Sequence, residues 1–211
     1  MKKPSHILWD FNGTILDDVQ IGIASMNRLL CSNGLDKRLD TESYKEVFGF
    51  PVKDYYKRLG FDFDKKSFDI LAVEWVDLYN SLVDQAVLCP NVLPALEYVK
   101  SRGVKQLILT ASEVTMVKEQ LEKFGISDYF EEIIGQDNIK AYGKTESARA
   151  WFDSAKPENA VLIGDTPHDA ETAKDLGIKC LLVSCGHQSE ARLSAYGKVF
   201  SDPLQAVKYL L

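Results

Sequence analysis

Apolar residues along the chain follow two rhythms. Residues 7–9 form a short unbroken apolar run that ends at Asp10 and meets Gly13-Thr14. A run that short, apolar on both faces and closed by turn residues, predicts a strand buried inside a parallel sheet. From about residue 17 to residue 85 the spacing becomes helical. A stripe through Ile21, Ala24, Met26, Leu29 and Leu30 predicts a helix over 19–31, capped by Asp17 or Asp18 and stopped at Asn33-Gly34. A second helix begins at Thr41-Glu42, and a third over 52–59 ends at Gly60. A long fourth helix is predicted over 65–84, through Phe68, Leu71, Ala72, Trp75, Leu78 and Tyr79. Strands and helices then alternate. Strands are predicted over 105–110, 132–135, 160–164, 179–184 and 199–200, with helices over 91–102, 113–124, 145–154, 170–176 and from Leu204 onward. The expected fold is α/β: a doubly wound, Rossmann-like parallel sheet (residues 1–16 and 86–211) with an all-helical cap (17–85) inserted after the first strand.

With 211 residues, 45% of them hydrophobic, and a formal charge of −6, the chain has no general field for nucleic acid or an anionic membrane. No apolar run approaches the ~20 residues of a membrane span. The start, Met1-Lys2-Lys3-Pro4, lacks the apolar stretch of a secretion signal, so a cytoplasmic protein is expected. Cys31, Cys89, Cys180 and Cys185 show no metal-type pairing. Free thiols are the expected state, although four cysteines could also pair.

Candidate chemistry collects at strand ends, where ligands bind in open α/β sheets. Asp10 closes the first strand, Gly13 permits a tight turn, and Thr14 adds a hydroxyl; Asp10 could equally cap that turn. Thr110, Ala111 and Ser112 close a second strand ahead of a helix whose free N–H groups suit an anion, or Ser112 is simply its N-cap. Lys144 precedes another helix and could neutralise phosphate, with Lys140 competing for that role. Gly164-Asp165 ends a further strand, and Asp169 follows near a helix start, where it joins the cluster or caps the helix. Carboxylates gathered with Asp10 call for a hard cation such as Mg²⁺. His168 is expected outside any ligand set, and His6 and His187 to be structural.

The order of these four segments resembles the haloacid dehalogenase-like hydrolase superfamily, in particular its small-helical-cap phosphatases of the phosphoglycolate phosphatase type. The resemblance spans essentially the whole chain. Asp10 to Thr14 match the family's Asp-x-Asp-x-Thr opening, Thr110 its strand-end hydroxyl, Lys144 its lysine, and Asp165 with Asp169 its acidic loop. The resemblance implies an aspartyl-phosphate on Asp10, with Mg²⁺ on Asp10, the Asn12 carbonyl, Asp165 and Asp169. It also implies a small phosphorylated metabolite as substrate. Gly49-Phe50-Pro51-Val52-Lys53 looks like the family's cap loop and makes Lys53 a candidate substrate contact.

This chain departs from the pattern at position 12. The family places there an aspartate that protonates the leaving group and later activates water; Asn12 cannot exchange a proton in this way. The expected phosphatase is therefore slow or selective for leaving groups that need little protonation. Two other readings follow: a phosphonoacetaldehyde hydrolase-like enzyme using Lys53 as a Schiff base, or a weakly active protein that binds a phosphate ligand or a partner. Tyr44, Phe48, Phe50, Tyr55 and Tyr56 either line a cavity or pack the cap helices.

Overall fold

A computed structural model describes residues 2–136 and 144–211; Lys140 and Gly143 lie outside the described residues. Six parallel strands form one sheet in the order β5-β4-β1-β6-β7-β8. These are β1 (His6–Trp9), β4 (Lys105–Glu113), β5 (Glu132–Gln136), β6 (Ala160–Gly164), β7 (Lys179–Val183) and β8 (Val199–Phe200). Successive side chains of a strand point to opposite faces, and both faces here are apolar. Ile7, Trp9, Ile108, Val161 and Ile163 enter one core with α5 (Val92–Ser101), α6 (Val114–Lys123) and α10 (Pro203–Leu210). Leu8, Leu107, Leu109 and Leu162 enter the other with α7 (Thr145–Ala155) and α8 (Pro167–Asp175). Double-sided burial is why these strands read as continuous apolar runs.

Between β1 and β4 lie α1 (Val19–Ser32), α2 (Thr41–Val47), α3 (Val52–Leu59) and α4 (Phe68–Asn80). They enclose a separate apolar cluster through Met26, Leu29, Leu30, Tyr44, Tyr55, Tyr56 and Leu71. The chain leaves and returns through a ribbon in which β2 (Leu16–Asp17) pairs antiparallel with β3 (Val87–Leu88). Two-residue strands leave too little alternation for a sequence pattern, and the ribbon was not expected.

Other boundaries shift for local reasons. The fourth helix is shorter than predicted because the Ser67 side chain accepts from the Ile70 N–H and starts it at Phe68; beyond Asn80 the chain turns and makes a single 3₁₀ turn at Val83–Gln85. Helix α8 starts earlier than predicted. Pro167 fits the first turn, and Thr166 and Asp169 cap each other's backbone N–H groups. Strand β4 runs past Thr110 to Glu113, with its register to β5 shifting between Leu109 and Glu113. Ser112 is therefore not the N-cap of α6; Glu113 stands there without a side-chain cap bond. A short helix, α9 (Glu190–Leu193), also lies outside the expectation.

Candidate active site

Strands β1, β4 and β6 are neighbours, so the residues following them converge. The Asp10 N–H donates to the Ile163 carbonyl at 2.8 Å, tying the end of β1 to β6. The next residues close a tight turn, with the Ile15 and Leu16 N–H groups both donating to the Phe11 carbonyl at 2.9 Å. Gly13 has φ +77°, and a Cβ there would collide with the Asp165 carboxylate and the His187 ring. Glycine is required by both conformation and contact. The Thr14 hydroxyl donates to Asp165 Oδ1 at 3.3 Å from a fully buried position. Gly13 and Thr14 thus shape the floor of the site and do not line its cavity.

Lys144, 2% exposed, stands at the start of α7. Its ammonium donates to Asp10 Oδ1, to Asp169 Oδ1 and to the Leu109 carbonyl. Burial alone would lower its pKa, but Asp10 and Asp169 raise it further than burial lowers it, so the cation is held. Asp10, Asp165 and Asp169 each bring an oxygen within 4.8 Å of the others. Burial pushes Asp10 up to about 6 against the pull of Lys144. Asp165 is raised well above the usual carboxylate range, by burial and then by its acidic neighbours, although the nearby His187 pulls the other way. Asp169 is lowered: burial would raise it, but Lys144 and bonds from the Thr166 hydroxyl and N–H prevail.

Three carboxylates, Asp10 partly and Asp165 and Asp169 fully buried, leave negative charge in excess beside one lysine. Hard oxygen donors so arranged fit a divalent cation such as Mg²⁺. Both Asp169 oxygens already accept bonds, one from Lys144 and the other from Thr166. Both Asp165 oxygens accept bonds as well, from the Thr14 hydroxyl and the His187 backbone N–H, so Asp10, Asp165 and Asp169 together are the carboxylates that could hold the ion.

Asn12 is tied down through all of its amide. Its Nδ2 donates to Asp18 Oδ2 at 2.9 Å and to the Tyr79 hydroxyl at 3.2 Å, while Oδ1 accepts from the Ser112 hydroxyl at 2.7 Å. Asp18 heads α1 without capping it. Its carboxylate instead accepts from Asn12, from the Tyr79 hydroxyl at 2.8 Å and from His187 Nε2 at 3.1 Å. Burial would raise Asp18, yet the charge and bonds of His187, Tyr79 and Asn12 hold it below the usual carboxylate range. Burial would lower His187, yet Asp18 holds its imidazolium up to about 9. The other ring nitrogen of His187 bonds the Tyr44 hydroxyl at 2.9 Å, and the backbone N–H of His187 donates to Asp165 Oδ2 at 2.6 Å.

Thr110, Ala111 and Ser112 line the cavity above Asp10 with Asn12 and Lys144. Tyr44, Phe48, Phe50, Tyr55 and Tyr56 also line it while Tyr44, Tyr55 and Tyr56 pack the cap, so the two expectations for them are compatible. Lys53 does not reach the cavity. It is exposed, with its ammonium 5.5 Å from the centre of the Phe63 ring. His168 lines the cavity beneath Phe50, ring centres 4.7 Å apart, while His6 bonds Ser5 far from the site. Asp18, His187 and Tyr79 are the residues whose part in the site the sequence pattern missed. One signal was present: Gly186-His187 follows β7 at the same sheet edge that carries Asp10 and Asp165.

A family model described as haloacid dehalogenase-like hydrolase matches residues 7–183. The chain belongs to that family. It is 26% identical over 194 residues to a phosphoglycolate phosphatase of Pseudomonas fluorescens, covering 87% of this chain and 71% of that protein. A phosphoglycolate phosphatase of Caulobacter vibrioides is 25% identical over 192 residues, 87% of this chain and 81% of that one. Among solved structures, a haloacid dehalogenase-like hydrolase from Streptococcus pneumoniae superposes with a TM-score of 0.85 at 22% identity, covering all of both chains. CbbY from Rhodobacter sphaeroides, solved in complex with phosphate, gives 0.72 at 17% identity over 96% of each. The likeness to these structures is one of fold. The four cysteines are free, and among the described residues no helix is long and apolar enough to cross a membrane.

Proposed function

We propose that this hydrolase is a Mg²⁺-dependent phosphatase of small phosphorylated molecules, with Asp10 as nucleophile. The observation that carries the reading is the Lys144 ammonium held between Asp10 and Asp169, with Asp165 in the same cluster. An Asp10 carboxylate oxygen attacks phosphorus in line, the bond to the leaving oxygen breaks, and the phosphoryl group rests on Asp10. Water then attacks phosphorus, releasing phosphate and restoring the carboxylate. Lys144 keeps Asp10 ionised and aligned, and its charge, with the Thr110 hydroxyl and the Ala111 N–H, offsets charge on the transferring oxygens, while the Ser112 N–H holds the Thr110 hydroxyl in place at 3.0 Å. A divalent ion on Asp10, Asp165 and the Asn12 carbonyl, with Asp169 close by, would supply further neutralisation of the phosphate.

The leaving oxygen departs without a proton from position 12. Asn12 is an amide, and its bonds run to Ser112, Asp18 and Tyr79. General acid help is worth about 10²–10⁴-fold, so alkyl phosphates turn over slowly. Hydrolysis of an aryl phosphate with and without Mg²⁺ tests the reading, with Asp10→Asn as control. A wild-type rate equal to that control makes phosphate-ligand binding the better description. The Schiff-base alternative finds no support in the geometry, because Lys53 lies outside the cavity.

A further inference from the structure

The cavity over Asp10 opens between the sheet edge and the cap helices, and its walls are those of an apolar-ligand pocket. Trp75 and Val76 come from α4, Phe48 and Phe50 from the loop after α2, Val83 from the turn before β3, and Met116 from α6. Its volume is about 200 Å³, and a cavity of about 150 Å³ accommodates a benzene ring. Among the described residues that line it, Lys144 is the only lysine or arginine, and its ammonium is committed to Asp10 and Asp169. The other charges on the wall are mostly acidic: Asp18, Glu113 and Glu119. The His187 imidazolium is already shared between Asp18 and Tyr44.

We infer that the cavity receives an apolar, ring-sized leaving group, so that the substrate class is aryl phosphates rather than phosphates carrying a second acid. The inference rests on the phosphatase reading for the position of the phosphoryl group, but the pocket chemistry is a separate observation. A second carboxylate on the substrate would enter a largely apolar wall with acidic neighbours and no free cation among the described residues. A planar ring would meet Trp75, Phe48 and Phe50, with the flexible Met116 thioether able to adapt to its edge. The same class suits Asn12, because an aryl oxide leaves with little need of a proton. Two features of different origin, pocket apolarity and the missing acid, select the same chemistry.

The test compares 2-naphthyl phosphate, acetyl phosphate and 2-phosphoglycolate as substrates with Mg²⁺. It also titrates the Mg²⁺-loaded protein calorimetrically with 2-naphthylphosphonate and with phosphonoacetate. The expected KM for 2-naphthyl phosphate is about tenfold or more below that for acetyl phosphate, and the naphthyl phosphonate binds about tenfold or more tighter than phosphonoacetate. Val76→Lys and Met116→Lys, tested separately, should each narrow that binding ratio by about tenfold. Equal or tighter binding of phosphonoacetate overturns the inference and leaves the phosphatase reading standing. Preferential naphthyl binding with no turnover of any substrate overturns the phosphatase reading and supports the pocket assignment.

Discussion

The Asn12 amide donates to Asp18 Oδ2 at 2.9 Å, so the residue at the position where the sequence resemblance leads one to expect an acid is fixed by a carboxylate beside it. An aspartate at position 12 would face Asp18 directly. Two carboxylates at that distance share a proton, and the pKa of one rises strongly.

Asn12→Asp should therefore create a protonated acid near neutral pH. Turnover of an alkyl phosphate should rise by about 10²–10⁴-fold, and that of an aryl phosphate much less. Steady-state kinetics on a matched alkyl and aryl pair checks this; equal gains would show that proton supply does not limit the wild type.

The carboxylate cluster predicts a metal effect on stability. Mg²⁺ at one hundred times its Kd should stabilise the fold by about 2.7 kcal/mol, visible as a higher melting temperature. Asp165→Asn removes one of the mutually repelling carboxylates. Its melting temperature without Mg²⁺ should equal or exceed that of the wild type, and the increment on adding Mg²⁺ should largely vanish. Scanning calorimetry on both proteins, with and without the ion, reads both effects.

His187 predicts a loss of stability on the alkaline side. Its folded pKa is raised to about 9 from 6.5. The folded state therefore holds a proton that the unfolded chain releases, and the stabilisation is complete below about pH 6.5 and fades as pH rises through 9. Asp18, lowered by the same pairing, has the opposite sign and loses its contribution only in acid. His187→Ala leaves Asp18 buried without its cation and should cost about 3 kcal/mol near neutral pH. Urea titrations at pH 6, 7.5 and 9.5 should show this difference shrinking at the highest pH.

Core and cap are also latched at the end of α2. Arg192 donates to the Lys45, Glu46 and Phe48 carbonyls, and Gln188 Nε2 donates to the Phe48 carbonyl at 2.9 Å. A cation bonded to the last carbonyls of a helix also complements its dipole. Arg192→Ala should loosen the 44–52 segment by roughly 1.5–3 kcal/mol, raising KM and speeding limited proteolysis there. Proteolysis at the wild-type rate would show that the latch contributes little.

What the sequence determined is the part carried by local pattern. Runs buried on both faces have no polar alternation, so the strands around Leu8, Ile108 and Leu162 were legible, as were the helical stripes of the cap. Asp10, Thr110 and Asp165 were picked out by their expected place at strand ends, although β4 runs on past Thr110 to Glu113. What only the tertiary structure decided is which distant groups face one another. Asp18 reads as a helix cap and His187 as a structural histidine until packing brings them within 3.1 Å, 169 positions apart. Ser112 reads as an N-cap until β4 runs on and turns its hydroxyl to Asn12. Lys53 reads as a cap-loop contact until α3 carries it over Phe63. Burial on a strand or helix imprints a period on the chain. A pair of buried charges imprints none, because each partner is chosen by a surface that exists only after folding.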